Sequence, residues 1–246
     1  MRTIGVIPAR YKSSRFPGKP LVDLAGTPMI IRVARIVEKA FGKKDTFVAT
    51  ESVIIKEIVE SYGYNVVMTS DNCLTGTDRV WEVAQKIDAD VYVNVQGDEP
   101  LLDYRDILKI GKTKENFIDH VVNGMCSLSD TEDPNNINIP KVVVNKYDIL
   151  TYMSRLPIPG LKDLNGARPI YKKQVCIYAF NYSELKAFGE ETSKGTSELY
   201  EDIEILRFID LNIPIKMVET SGSSLAVDVV EDVEIIVKEL LKKMND

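Results

Sequence analysis

Between residues 3 and 96, short apolar runs alternate with segments of helical spacing, joined by only a few residues each. Residues 3–8, 46–50, 65–68 and 91–96 are short and apolar, which predicts strands. Residues 28–41 carry Ile30, Val33, Ala34, Val37 and Phe41 at helical spacing. Residues 53–62 place Ile54, Ile55, Ile58, Val59 and Tyr62 on one face, with Gly63 as C-cap, and residues 77–86 form a third helix. Such a β-α-β-α-β rhythm implies a mostly parallel sheet covered by helices on both faces. After about residue 120 the rhythm changes. Strands are expected at 121–129, 141–145, 171–180 and 215–219, a turn at 133–136, and a Pro/Gly-rich loop at 157–169. Helices are expected at 198–211 and 230–244, the latter with Val233, Ile236, Val237, Leu240, Leu241 and Met244 on one stripe. With no repeat and no long linker, residues 1–246 read as one mixed α/β domain with an antiparallel excursion in its second half.

Composition narrows the function classes. The net charge of −6 argues against a dedicated nucleic-acid binder, which carries a basic face. No apolar run reaches membrane-spanning length, and the N-terminal apolar segment is too short for a signal peptide, so a cytoplasmic protein is the expectation. Cys73, Cys126 and Cys176 lie far apart without metal-ligand spacing and read as reduced thiols. The single histidine, His120, rules out a His-rich metal site and reads as a surface residue.

Two segments carry chemistry. Directly after the first strand, Arg10, Lys12, Arg15 and Lys19 join Ser13 and Ser14 within ten residues. Ligands of open parallel sheets bind outside the carboxyl ends of strands, and a polyphosphate needs cations, hydroxyls and amides together. Lys19 is followed by Pro20, so this is not a Walker loop, and no Gly-x-Gly-x-x-Gly follows the strand. The second segment, Gln96-Gly97-Asp98-Glu99-Pro100, again ends a strand. Asp98 there is a candidate Mg²⁺ carboxylate, with Asp228 as its natural partner, since Mg²⁺ takes one or two carboxylates plus substrate phosphates. A carboxylate at a strand end also serves as turn former or helix cap, and spacing leaves both readings open.

Taken together, the 8–20 loop, Ser70-Asp71 through Thr75-Gly76-Thr77-Asp78-Arg79, Gln96 to Pro100, Ser154-Arg155 through Pro159, and Val227-Asp228 through Glu231-Asp232 resemble a known family in their order. It is the 3-deoxy-manno-octulosonate (Kdo) cytidylyltransferases, or CMP-Kdo synthetases, of the nucleotide-sugar synthetase superfamily. The resemblance covers nearly the whole chain. It implies a Rossmann-like nucleotidyltransferase fold, usually a homodimer, that makes a CMP-sugar from CTP with Mg²⁺ and releases pyrophosphate. It puts Arg10, Ser13, Ser14 and Lys19 on the triphosphate and Ala9, Thr75, Gly76 and Arg79 near cytosine and ribose. Asp98 and Asp228 fall on the metal, and Gln96, Arg155, Gln174, Tyr178 and Glu204 on the sugar side. Arg10, Lys19, Asp98 and Asp228 would carry catalysis, in keeping with a transfer that relies on positioning and charge neutralisation.

Three departures fall on the sugar side. The family's His-x-Gly-Ile-Tyr-x-Tyr strand reads Gln174-Val175-Cys176-Ile177-Tyr178-Ala179-Phe180, and its Leu-Glu-Gln-Leu-Arg helix reads Ile203-Glu204-Ile205-Leu206-Arg207. Ile205 cannot hydrogen-bond a sugar hydroxyl, so an altered acceptor, or poor use of Kdo, is expected. The alternatives are CMP transfer to a different small hydroxylated acid, or a nucleotide-binding regulator without turnover.

Overall fold

The computed structural model describes residues 1–12, 16–163, 167, 169–222, 225–227 and 229–245. Its first half follows the expected alternation: β1 (Thr3–Pro8), α1 (Met29–Phe41), β2 (Thr46–Thr50), α2 (Val53–Ser61), β3 (Asn65–Met68), α3 (Gly76–Ala84) and β4 (Val91–Val95). Then come α4 (Tyr104–Asn116), β5 (Val121–Ser127), β6 (Lys141–Val144), β7 (Leu150–Ser154), β8 (Lys172–Phe180), α5 (Tyr182–Gly189), α6 (Thr196–Glu201), α7 (Leu206–Asp210), β9 (Ile215–Glu219) and α8 (Asp232–Asn245).

Among the described residues the strands form one sheet in the order β3-β2-β1-β4-β8-β5-β9, with β6 beside β8 and β7 beside β6. From β3 to β4 every pairing is parallel. The reversal comes at β8, which runs antiparallel to both β4 and β5, while β5 and β9 are parallel again. The antiparallel excursion is therefore inserted into the middle of the sheet, next to β4.

Burial on both faces explains why β1 and β4 are almost wholly apolar. On one face Ile4, Val6, Tyr92 and Phe180 pack under α3, α5 and α7 through Val80, Val83, Leu185, Phe188, Leu206 and Phe208. On the other, Ile7, Val93 and Ile177 pack under α1, α2 and α4 through Ile30, Val37, Ile55, Val59, Ile107 and Ile110. Each such side chain contributes roughly 1.5–3 kcal/mol on burial. The approach of α1 to β1 needs a glycine, because a Cβ on Gly5 would lie 2.2 Å from Val37 Cγ1.

Three expectations change. The helix expected at 198–211 is two short helices, α6 and α7, broken at Asp202, whose φ is 50°. The break leaves Glu204 between the helices rather than on a helical face. Helices α4 and α5 were not foreseen: α4 has few apolar positions among its charges, while α5 is short. For α5 a local signal exists, the Asn181–Glu184 capping box. Strand β7, also unforeseen, is held by pairing with β6.

Candidate active site at the carboxyl ends of β1 and β4

Strands β1 and β4 are parallel neighbours, so the chain leaves both at the same edge of the sheet. After β1 it passes through Ala9, which is buried and donates its amide to Ala49 O at 2.8 Å, and then through exposed Arg10. The loop closes through Gly18 N to Tyr11 O at 3.0 Å and is anchored by Tyr11 N to Glu51 Oε1 at 2.9 Å. Gly18, with φ 71°, turns the chain into the single turn Lys19–Leu21. Lys19 Nζ thereby reaches back 2.7 Å to Asp98 Oδ2 and donates to Val227 O at 2.8 Å. Val227 N in turn donates to Asp98 O at 2.9 Å. Three segments distant in sequence are thus pinned at one point. The lysine and aspartate side chains keep 16% and 29% exposure, so a ligand can reach both. Lys12 instead points to solvent and pairs with exposed Asp71 at 3.6 Å, a contact of little energetic weight. Ser13, Ser14 and Asp228 lie outside the described residues.

The N-terminus of α3 forms the adjoining wall. Thr75 caps it in a reciprocal box with Asp78. Gly76 lets the helix end abut the strands: a Cβ there would lie 2.7 Å from Gln96 Nε2 and 3.2 Å from Pro8 Cγ. Glu204 bridges this wall to β4, accepting from Thr77 N at 3.0 Å and from Gln96 Nε2 at 3.0 Å. Burial raises its pKa, and the Thr77 amide and Thr75 hydroxyl act against that rise. Arg79 lies one turn into α3. Its side chain is buried on Thr69 Oγ1 at 2.6 Å, Ser70 O at 3.1 Å and Glu51 at 2.9 Å. It thereby ties α3 to the ends of β2 and β3.

Strand β8 supplies the far side. On the α3 face its residues oppose those of β4 in rows: Tyr92 with Phe180, then Asn94 with Tyr178. Beyond them Gln96 N donates to Cys176 O at 3.4 Å. The rows pass from apolar to polar toward the crevice. Gln174 Nε2 donates to Asn123 Oδ1 at 3.1 Å and approaches the Tyr178 hydroxyl at 3.4 Å. Burial holds the Cys176 thiol and the Tyr178 phenol well above their ordinary pKa values, with the Glu99 and Asp98 charges adding to the effect on the thiol. Arg155 stands apart from these rows. It donates to the carbonyls of Glu201 at 2.5 Å, Ile137 at 2.8 Å and Asp202 at 2.9 Å, clamping the chain just before Glu204.

Two departures singled out in the sequence do not face the crevice. Ile205 and Phe180 are fully buried in the apolar layer under α7, where Phe180 stacks on Phe208 at 5.4 Å. The expectation that Ile205 leaves a sugar hydroxyl without a partner therefore loses its physical basis, because the break at Asp202 turns that side chain into the core. Only Gln174 remains among the polar rows. Sequence reasoning also missed Thr77, whose amide holds Glu204. The capping pattern Thr75-x-x-Asp78 was the available signal, since it marks a helix N-terminus with free amides.

A cytidylyltransferase family model matches residues 4–219. The 3-deoxy-manno-octulosonate cytidylyltransferase of Escherichia coli is 35% identical over 92% of this chain and 91% of that protein. That of Lawsonia intracellularis is 38% identical over 98% and 95%. A solved CMP:2-keto-3-deoxy-manno-octonic acid synthetase complexed with CTP superposes with a TM-score of 0.91 at 33% identity, covering 99% of this chain and 100% of that one. With the crevice at the β1 and β4 ends, these likenesses over nearly its full length show that the chain belongs to the 3-deoxy-manno-octulosonate cytidylyltransferase family of nucleotidyltransferases.

Proposed function

We propose that this chain transfers CMP from CTP to the anomeric hydroxyl of Kdo or a Kdo-like 2-keto sugar acid, releasing pyrophosphate. The observation that carries the reading is the Lys19–Asp98 pair, a cation and a carboxylate held together yet accessible where β1 and β4 end. Lys19 neutralises charge on the triphosphate, joined by Arg10, Ser13 and Ser14 of the same loop. Ala9, Thr75, Gly76 and Arg79 shape the nucleoside side, Arg79 by bracing α3 from within. Gln96, Gln174, Tyr178 and Glu204 face the acceptor, and Arg155 fixes the segment that carries Glu204. The hydroxyl oxygen forms a bond to the α-phosphorus as the bond to pyrophosphate breaks.

A divalent metal fits this donor set. The Asp98 carboxylate is a hard oxygen ligand, and Val227, bonded to Asp98 through its amide, precedes Asp228 in the chain. Mg²⁺ takes one or two carboxylates and otherwise leans on substrate phosphates and water. Mg²⁺ held by Asp98 and Asp228 would supply a Lewis acid at the reacting phosphate. The test is pyrophosphate release from CTP with Kdo and related 2-keto acids at saturating Mg²⁺. No release with any of them would overturn the reading.

Gly76→Ala gives a sharper check. The new Cβ displaces the end of the Gln96 side chain from Glu204, a charged hydrogen bond worth about 1.5–3 kcal/mol. Acceptor KM is expected to rise about tenfold or more, and thermal stability falls as well, because the bond is lost from the folded state and Pro8 Cγ lies 3.2 Å from the new Cβ. An unchanged acceptor KM would remove Gln96 from the acceptor side.

We also propose that the chain works as a homodimer. Ile137, Leu156, Tyr200 and Ile170 are 60%, 65%, 83% and 83% exposed. Arg155 gathers the first three, bonding to Ile137 O and to Glu201 while preceding Leu156. A paired copy would cover such an apolar patch. Sedimentation at tens of micromolar should give a dimer, roughly where a standard interface holds; a monomer there counts against it. Among the described residues no helix is long and apolar enough to cross a membrane.

A further inference from the structure

Asn94 is out of place in β4. Its strand neighbours are Val91, Tyr92, Val93 and Val95, asparagine is depleted in strands, and it stands between Val6 of β1 and Tyr178 of β8. It is fully buried, and among the described residues neither its amide nitrogen nor its amide oxygen has a hydrogen-bond partner. Buried side-chain amides are nearly always satisfied, so two orphaned atoms on one residue call for a ligand. Nothing toward the core can serve, because the next row down is Tyr92 and Phe180 within the apolar layer. Toward the crevice the next residue on the same face, just past the end of β4, is Gln96, bonded to Glu204. Thr77, which donates its amide to Glu204, is also fully buried, and its hydroxyl, though near enough to the Glu204 carboxylate to favour its charged form, makes no hydrogen bond of good geometry. Gly76 seats that end of α3 against Gln96 and Pro8, over the ends of the same two strands.

We propose that Asn94 is a positioning residue: with the Thr77 hydroxyl it holds one buried water beneath the Gln96–Glu204 pair and fixes that pair for the acceptor. Three polar atoms meet the two to four partners that an internal water requires. A local conflict with strand propensity in the wall of a site is where function, rather than packing, sets the residue. The inference rests on the assignment of Gln96 and Glu204 to the acceptor side.

The test has two arms. A crystal structure of the wild-type protein without substrates, at a resolution that defines waters, should show one within about 3.2 Å of the Asn94 amide and Thr77 Oγ1. A dry contact there overturns the proposal whatever the acceptor is. In kinetics, Asn94→Leu should raise acceptor KM about tenfold while CTP KM stays within about twofold, and Asn94→Ser, which keeps a polar group and admits water, should restore most of the loss. Wild-type acceptor KM in Asn94→Leu, or equal losses toward CTP and acceptor, would overturn it. If Asn94→Leu does not fold, Asn94→Ser and the wild-type water decide: near wild-type acceptor KM with the water present supports the proposal. Failure of the wild-type protein to turn over any sugar acid would sink the function reading alone, leaving the water to be judged by diffraction.

Discussion

Asp98→Asn is expected to cut pyrophosphate release by at least two to three powers of ten while leaving the fold intact. The substitution keeps shape but removes the negative charge that Lys19 contacts at 2.7 Å and that a divalent metal would need. Losing one preorganised electrostatic contact to a transition state costs about 2.7–4 kcal/mol, which sets that scale. The fold should survive because the side chain is 29% exposed, and the anchor to Val227 runs through the Asp98 carbonyl oxygen rather than its carboxylate. Asp228→Asn should behave alike if it completes the metal site. Lys12→Ala is the control: its exposed ammonium pairs with an exposed aspartate, so activity should hardly change. Near wild-type turnover of Asp98→Asn at saturating Mg²⁺ would remove this carboxylate from catalysis.

Arg207→Leu should cost stability rather than chemistry, by roughly 3–5 kcal/mol, the range for removing one member of a buried ion pair. Arg207 is 1% exposed and grips Glu198, itself fully buried, through two bonds of 2.6 and 2.7 Å. It also donates to Asp78 at 3.0 Å and lies over the Phe188 ring at 3.7 Å. One guanidinium thus joins α3, α5, α6 and α7. Its loss strands the Glu198 charge and loosens the Asp78 box that caps α3 beside the crevice. The double variant Arg207→Leu, Glu198→Leu should recover much of the loss, because the fully buried Glu198 charge is removed with it, while Asp78 keeps its bonds from Thr75. Denaturant midpoints measure both, and a loss below about 1 kcal/mol for the single variant would show the cluster to be slack, well outside that range.

The two halves of the chain differ in how legible they are. In the first, strands 3–8, 46–50 and 65–68 and helix α1 follow from spacing, because each element buries a face set by its own residues. The second half depends on longer reach. Strand β7 exists through its pairing with β6, and the 198–211 helix breaks at Asp202 although its sequence carries no Gly or Pro. Arg155 shows what offsets the break, since it collects the carbonyls of Glu201 and Asp202 that a continuous helix would have bonded internally.

Within the site, the basic loop and Asp98 were legible because strand ends in a parallel sheet converge on one edge, and local pattern locates strand ends. Their pairing was not, nor was the bond from Gln96 to Glu204, which spans 108 positions, or that from Lys19 to Val227, which spans 208. The directions of Arg79 and Ile205 were equally hidden, one turned into the scaffold and the other into the core. The sequence alone determined the order of strands and helices in the first half and supplied the candidate residues for the proposed chemistry. Which of those residues meet was decided by the tertiary structure, because the insertion of β8 beside β4 and the break at Asp202 set distances that no local spacing encodes.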